Sequence, residues 1–474
     1  MSWTYSIWLS FKQSPLFHVL FAVLIGIICG IGAILSPLIT VFLFIGIIFL
    51  VISDIINKPL LACYILIFAT VMTSAMERGR IIPMLVPAEV ILILVFGLSL
   101  AYVITHFFDK PMSVTILFGT VILILGTSVI PILSYNIRDI PVSFQTIFKW
   151  VAPAQYLLLF WIFSTIPRTR VERVRVLQVM FFCASLAAII ALLQAARIPI
   201  ILDLLLNWYP SGHTEDAVFA TGSGLGRTTS VFGAWNVLGT FLMVNFLCLV
   251  SLQNEKMPRL YTINMASSAI LCLLALLASG SYASIFGTML GFVFLKLIDP
   301  RGLKKLIPVF IAAAFGIILL LPVISERFLF QFESSGSSNS IIPRTLAWRF
   351  EQWNDIYIPL VAEDPIWGAV ASFEQYSFAH VDSQYLEMLI SKGFVSLIAF
   401  IIWLGFILIW LLYVFRHEST IMSSLALATI TCFLVMILMG ITNPVFAYAG
   451  VMDYLWIYIA LIAGSRKDKL HVAY

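Results

Sequence analysis

"SKGFVSLIAFIIWLGFILIWLLYVF", residues 391–415, carries a single charge, Lys392, in an otherwise apolar run. A helix of about 20 apolar residues is long enough to cross the roughly 30 Å hydrocarbon core of a bilayer, so this stretch reads as a membrane span. Runs of the same kind recur from 16–35 to 446–463. The chain of 474 residues is 61% hydrophobic and 11% charged, with a mean hydropathy of +1.05; soluble domains carry about 25% charged residues. No stretch between the runs is long enough for a soluble core. The expectation is an all-α fold, a polytopic membrane helix bundle of about 12–14 spans, forming one integral membrane domain over residues 1–474.

The six cysteines, Cys29, Cys63, Cys183, Cys248, Cys272 and Cys432, all fall in apolar spans without a CxxC pair, and read as small core residues. Lys12 precedes a long apolar segment with no small-residue cleavage site, so the first span reads as retained.

If the spans alternate, the basic connections at Lys58, Lys110, "PRTRVERVR" (167–175), "QNEKMPR" (253–259), "DPRGLKK" (299–305), Arg416 and "SRKDK" (465–469) share one side. They hold most of the 27 lysines and arginines, which makes that side, and both termini, cytoplasmic. The net charge of +4 then reflects topology, and nucleic acid is not an expected partner. Arg78, Arg80, Arg138, Arg197, Arg227, Arg327, Arg344 and Arg349 stand on the outer side against the rule.

Two outer segments are long: 197–228, and a large periplasmic loop at 325–390. Connections of this length often carry function. In the second, "PRTLAWRFEQWNDIYIP" starts with Pro343 and repeats Leu346, Phe350, Trp353 and Tyr357 at helical spacing. That pattern suits an amphipathic surface helix at about 343–358, with Arg344, Trp348, Glu351 and Asp355 on another face.

In "TGSGLGRTTSVFGAWNVLG" (221–239) the glycines allow a ligand close to the backbone, and Arg227 offers a planar fork of donors. The bland alternative is a turn with an arginine reaching to headgroups. Arg344–Trp348 and Arg349–Trp353, each at a spacing of four, suit cation–π stacking as well as ligand binding. Taken together, Arg227, Arg344 and Arg349 on one membrane face form a clamp for a lipid diphosphate. "FAHVDSQYLEMLISKGF" (378–394) adds three titratable groups. His380 and Asp382 are candidate general bases, against an N-cap role for Asp382, while Glu387 better suits capping or orienting the helix start. Glu89 and Asp453, inside spans, are costly enough to count as supporting functional candidates. No DxD, P-loop, HExxH or GxSxG motif occurs, so nothing points to a nucleotide-sugar metal site, an ATPase, a metalloprotease or an α/β-hydrolase.

Four blocks carry a family resemblance: "GRTTSVFGAWNVLGTFL" (226–242), "LASGSYASIFGTMLGF" (277–292), "PRTLAWRFEQWNDIYIPLVAEDPIWGAVASF" (343–373) and "VDSQYLEMLISKGFVSLIAF" (381–400). In order and spacing they resemble the O-antigen ligase and polymerase superfamily, the Wzy-type polysaccharide polymerases, over roughly residues 220–410. The resemblance implies a glycosyltransferase of the bacterial plasma membrane, working on its outer face with undecaprenyl-diphosphate-linked oligosaccharides as donor and acceptor. It implies no metal and no cofactor, and Arg227 and Arg344, with Arg349, as the diphosphate-binding arginines. Membrane lipids, a chain-length regulator and a flippase of the same pathway are the implied partners. The ligase branch often has His-Asn where this chain has Asp382-Ser383, which favours a polymerase. An O-antigen ligase acting on lipid A core, a lipid-linked oligosaccharide flippase and a non-catalytic scaffold are the alternatives. A flippase needs polar residues through several spans, and here Glu89 and Asp453 stand nearly alone.

Overall fold

A computed structural model of the protein describes residues 59–76, 114–139, 154–219, 226–253, 259–300, 344–369, 381–418 and 421–465, with isolated positions between 89 and 97, at 255, and between 306 and 325. Helix makes up 86% of it, with no strand among the described residues. In chain order the helices are α1 (Pro59–Thr73), α2 (Val114–Ile124) running through a π turn into α3 (Ile130–Ile137), α4 (Ala154–Thr165), α5 (Arg170–Ala195), α6 (Pro199–Trp208), α7 (Gly212–Phe219), α8 (Trp235–Leu252), α9 (Arg259–Ser279) and α10 (Tyr282–Ile298). After these come α11 (Arg344–Gln352), which passes through a second π turn into α12 (Ile358–Glu363), then α13 (Gln384–His417), α14 (Ile421–Met439) and α15 (Ala449–Gly464). Six helices among the described residues are long and apolar enough to cross a membrane, and five apolar ones are shorter. The all-α polytopic bundle expected from the apolar runs is the fold observed.

Helices apolar on every side belong in the interior. Accordingly α8 and α15 are buried along nearly their whole length, with α5, α9, α10, α14 and α4 packed around them, while α13 packs on α2 and α14. Where no water drives helices together, small residues let them approach closely. A Cβ added at Gly287 or Gly291 of α10 would lie 2.7 Å from Val435 or 2.8 Å from Leu247, on α14 and α8. Many hydroxyls in the bundle bond to their own helix, as Thr120 does to the Ile116 carbonyl at 2.7 Å and Thr429 to Leu425 at 2.8 Å, so these need no water to satisfy them. Tyr458 of α15 donates to Asn245 of α8 at 2.9 Å, tying the two central helices across the core. The five described cysteines are all buried; Cys29 lies outside the described residues.

Helix starts are fixed by local chemistry. At α5 a capping box closes the first turn: the Glu172 amide donates to Thr169 at 3.2 Å and the Thr169 amide donates to the Glu172 carboxylate at 3.1 Å. On the opposite face the end of α5, the starts of α8, α10, α13 and α15 and the end of α14 are laced together by side-chain hydrogen bonds.

One break matters for that face. Within α13, Gly393 adopts φ 72° and ψ −176°, a conformation open essentially to glycine. There the turn after α12 presses against the helix: the Phe394 amide donates to Pro365 O at 2.9 Å and the Ala369 amide to Ile390 O at 2.7 Å. Gly368, at φ 91°, completes the contact, and its carbonyl accepts from Tyr135 of α3. Arg138, just past α3, pairs with Asp364 in the same turn.

Candidate functional site

Arg227 stands just before a buried turn. Gln194, near the end of α5, accepts from the amides of Thr229 at 3.0 Å and Ser230 at 2.9 Å through one side-chain oxygen. Ser230 has a positive φ of 49°, and its hydroxyl donates to Ala187 O at 2.8 Å. The chain then enters α8, whose first residue, Trp235, receives the Arg227 guanidinium over its ring at 4.3 Å. His213 of α7 meets the same indole, ring centres 4.4 Å apart. Gly280, between α9 and α10, lets the arginine pass: a Cβ there would come within 3.0 Å of Arg227 Cγ.

Beside this mount runs a strip of neutral polar groups. Asn236 donates to Asn443 at 3.3 Å and accepts from Ser281 at 3.2 Å, and the Ser281 and Ser284 hydroxyls are 2.9 Å apart. Asn443 lies in the loop from α14 to α15, and the same loop reaches the start of α13. The Gln384 amide donates to Gly440 O at 2.9 Å, and the Phe446 amide donates to the Gln384 side chain at 3.0 Å.

At that helix start Arg349 of α11 donates to Asp382 at 3.2 Å; their side chains are 20% and 31% exposed. Tyr357, Leu360, Val381 and Ile390 form a small apolar cluster that seats the second π turn and α12 on α13. Burial, with the Asp382 charge adding to it, pushes the phenols of Tyr357 and Tyr448 above their usual range, so both remain neutral hydrogen-bond donors at physiological pH. Tyr448 also lies within the fields of Arg349 and Glu387.

Of the roles the sequence left open at this helix start, the N-cap falls to Ser383, which accepts from the Leu386 amide at 3.4 Å; Asp382 is turned to the arginine instead, and Glu387 stands in the first turn, where a carboxylate is favoured. Arg349 pairs with that carboxylate, where the spacing had offered Trp353 as well. Arg344 opens α11, but its side chain lies outside the described residues, as does the whole of His380. Trp348 is exposed on α11. Glu89 and Asp453 come together, lining a cavity of about 190 Å³ with Thr70, Ser74 and Gln155. Gln155 donates to Asp453 at 3.3 Å. Of the surroundings of Arg227, Gln194, His213 and Asn443 were missed from sequence, being scattered over the chain; the serine-rich turn "SGSYAS" (279–284), which holds Gly280, and the block with Trp235 and Asn236 had stood out.

The fold and this face define a multi-pass membrane protein with arginines held against aromatic and carboxylate partners at one end of the bundle. Among known families, residues 267–401 match one described as O-Antigen ligase. That match supports the O-antigen ligase/polymerase superfamily, a family of membrane enzymes that transfer glycosyl groups from lipid-linked oligosaccharides. It spans the Gly280 turn, α10, α11, α12 and the first half of α13, and leaves Arg227 and Gln194 outside. No curated protein matches the chain.

Proposed function

We propose that this protein is a polysaccharide polymerase that joins undecaprenyl-diphosphate-linked repeat units on the outer face of the bacterial plasma membrane. Both termini are then cytoplasmic, 1–474 is one membrane domain, and 197–228 and 325–390 are its outer segments. The observation that carries the reading is the pairing of the family match with Arg227, mounted over Trp235 beside the matched Gly280 turn.

In the reaction, a hydroxyl of one lipid-linked sugar attacks the anomeric carbon of another. The new glycosidic C–O bond forms as the bond to the diphosphate breaks, and the lipid diphosphate leaves with the electron pair. Negative charge grows on that leaving group, so donors already aimed at it give the largest stabilisation; loss of one such donor typically costs about 10²- to 10³-fold in rate. Arg227, Arg344 and Arg349 are assigned that role. Asp382, or His380 two residues before it, takes the hydroxyl proton, a contribution on the order of 10²-fold. Trp348 gives α11 an aromatic surface suited to the bilayer interface.

The matched family's description as O-Antigen ligase favours a second reading, ligation of a finished polysaccharide to lipid A core. Purified protein incubated with synthetic undecaprenyl-diphosphate oligosaccharide alone, and again with lipid A core, separates the two. A ladder of longer lipid-linked chains in the first tube is the expected result. A product found only on lipid A core overturns the polymerase assignment, and no new glycosidic bond in either tube overturns the enzyme.

A further inference from the structure

Gln194 lies 33 positions before Arg227 and outside the family match, yet it holds the turn that carries the arginine. The carboxamide is 2% exposed, and Thr229 and Ser230 are fully buried. One oxygen accepts two consecutive amides at 3.0 and 2.9 Å, and the side-chain NH2 reaches the Thr229 hydroxyl at 3.4 Å. Two adjacent N–H groups converging on one acceptor fix the peptide plane between them, and a buried amide that loses its acceptor has no water to replace it. The turn needs such a fixture because Ser230 sits at φ 49°, a conformation most residues leave when free to do so. Its other side is anchored just before α7, where Ser211 donates to Gly233 O at 2.6 Å. Arg227 enters this frame two residues before the clamp and meets Trp235 five residues after it. The direction of the guanidinium is therefore set by the path of the turn.

We infer that Gln194 is a positioning residue: it acts through the Thr229–Ser230 peptide to hold Arg227 over Trp235, in the orientation that receives the diphosphate. The inference rests on the diphosphate reading of Arg227. Leucine at 194 keeps the bulk but leaves both amides without an acceptor, whereas glutamate keeps an acceptor oxygen at the same reach.

The test is equilibrium binding of fluorescent undecaprenyl diphosphate to the full-length protein in detergent, each variant first shown monodisperse by size-exclusion chromatography. Q194L is expected to bind about tenfold more weakly, from a misaimed donor, and Q194E within about threefold of wild type. R227A is expected to lose at least as much as Q194L, and R227A/Q194L to bind no more weakly than R227A, since the clamp has nothing left to aim. Should Q194L not fold, T229A releases the side-chain NH2 and is expected to lose about threefold, again masked by R227A. Q194L (or T229A in its place) binding like wild type overturns the inference, as do losses that multiply in the double variant. Wild type that does not bind, or R227A that binds like wild type, overturns the diphosphate reading itself.

Discussion

Replacing Gly393 with alanine is expected to pull the turn after α12 off α13. The new Cβ would lie 2.0 Å from the Ile366 carbonyl oxygen, 2.3 Å from its carbon and 2.5 Å from the Trp367 nitrogen. All three are backbone atoms, so no side-chain rotation relieves the overlap. The φ of 72° with ψ near −176° costs a non-glycine residue about 1–3 kcal/mol before any clash. Separation then loses the Phe394–Pro365 and Ala369–Ile390 hydrogen bonds, at about 1 kcal/mol each. Those bonds, about 2 kcal/mol together, are what opposes opening, whereas the strain of about 1–3 kcal/mol and the overlap with three backbone atoms both favour it, and each 1.4 kcal/mol is tenfold in population. The assay is limited proteolysis of the detergent-solubilised protein, with fragments mapped by mass spectrometry. Cleavage between 364 and 380 is expected at least tenfold faster in G393A than in wild type. G368A should behave alike, because its Cβ would meet the Lys392 nitrogen at 2.7 Å and its φ is 91°. G405A, on the same helix with nothing within 4 Å of the added Cβ, is the control and should cut like wild type. Equal cleavage rates and yields for G393A and G405A would refute the reasoning.

Three further outcomes follow from the geometry. W235A removes the ring under the Arg227 guanidinium, worth about 1 kcal/mol, and should weaken undecaprenyl-diphosphate binding about three- to tenfold; unchanged binding would show that the stacking does not orient the arginine. D382N frees Arg349 from a partly exposed pair worth about 0.5–1 kcal/mol. Diphosphate affinity should therefore rise about two- to fivefold while transfer slows on the order of 10²-fold, and a fall in affinity would contradict a competition between carboxylate and phosphate for Arg349. D453N keeps an oxygen for Gln155 but removes a charge from the cavity shared with Glu89, and should raise the thermal midpoint in detergent; a lowered midpoint would mean that the carboxylate stabilises the bundle.

The spans were legible because a run such as 391–415 needs no partner to be recognised: its length and lack of charge suffice. The break at Gly393 inside that run was not, since its cause is the Ile366–Trp367 backbone arriving from another segment. At the site, Arg227, Arg349 and Asp382 stood out as charges in places where charge is expensive, and the Gly280 turn by its serines. What each touches depends on helix packing. Asp382 had an N-cap role open to it by sequence, and the nearby Ser383 took that role once Arg349 of α11 came within 3.2 Å. Gln194 is an ordinary amide near a helix end until the turn at 229–230 folds onto it. Glu89 and Asp453 were singled out as costly inside spans, but nothing in the sequence foretold that they line one cavity.

The helix that crosses the membrane as α13 belongs to two bodies. Before Gly393 it is fastened to the end of α14 and the loop beyond, through Tyr385 to Ile437 O at 2.6 Å and Gln384 to Gly440 O at 2.9 Å. After Gly393 it packs along α2 and the π turn that follows it, where Ser396 donates to Gly126 O at 2.8 Å. The break is thus a joint between the part that presents Asp382 and the part that meets lipid. Bilayers differ in thickness by several ångströms, and spans answer by tilting. A tilt of the long segment about Gly393 would leave Asp382 where the α14–α15 loop holds it, at the cost of the Phe394–Pro365 bond that ties that segment to the turn after α12.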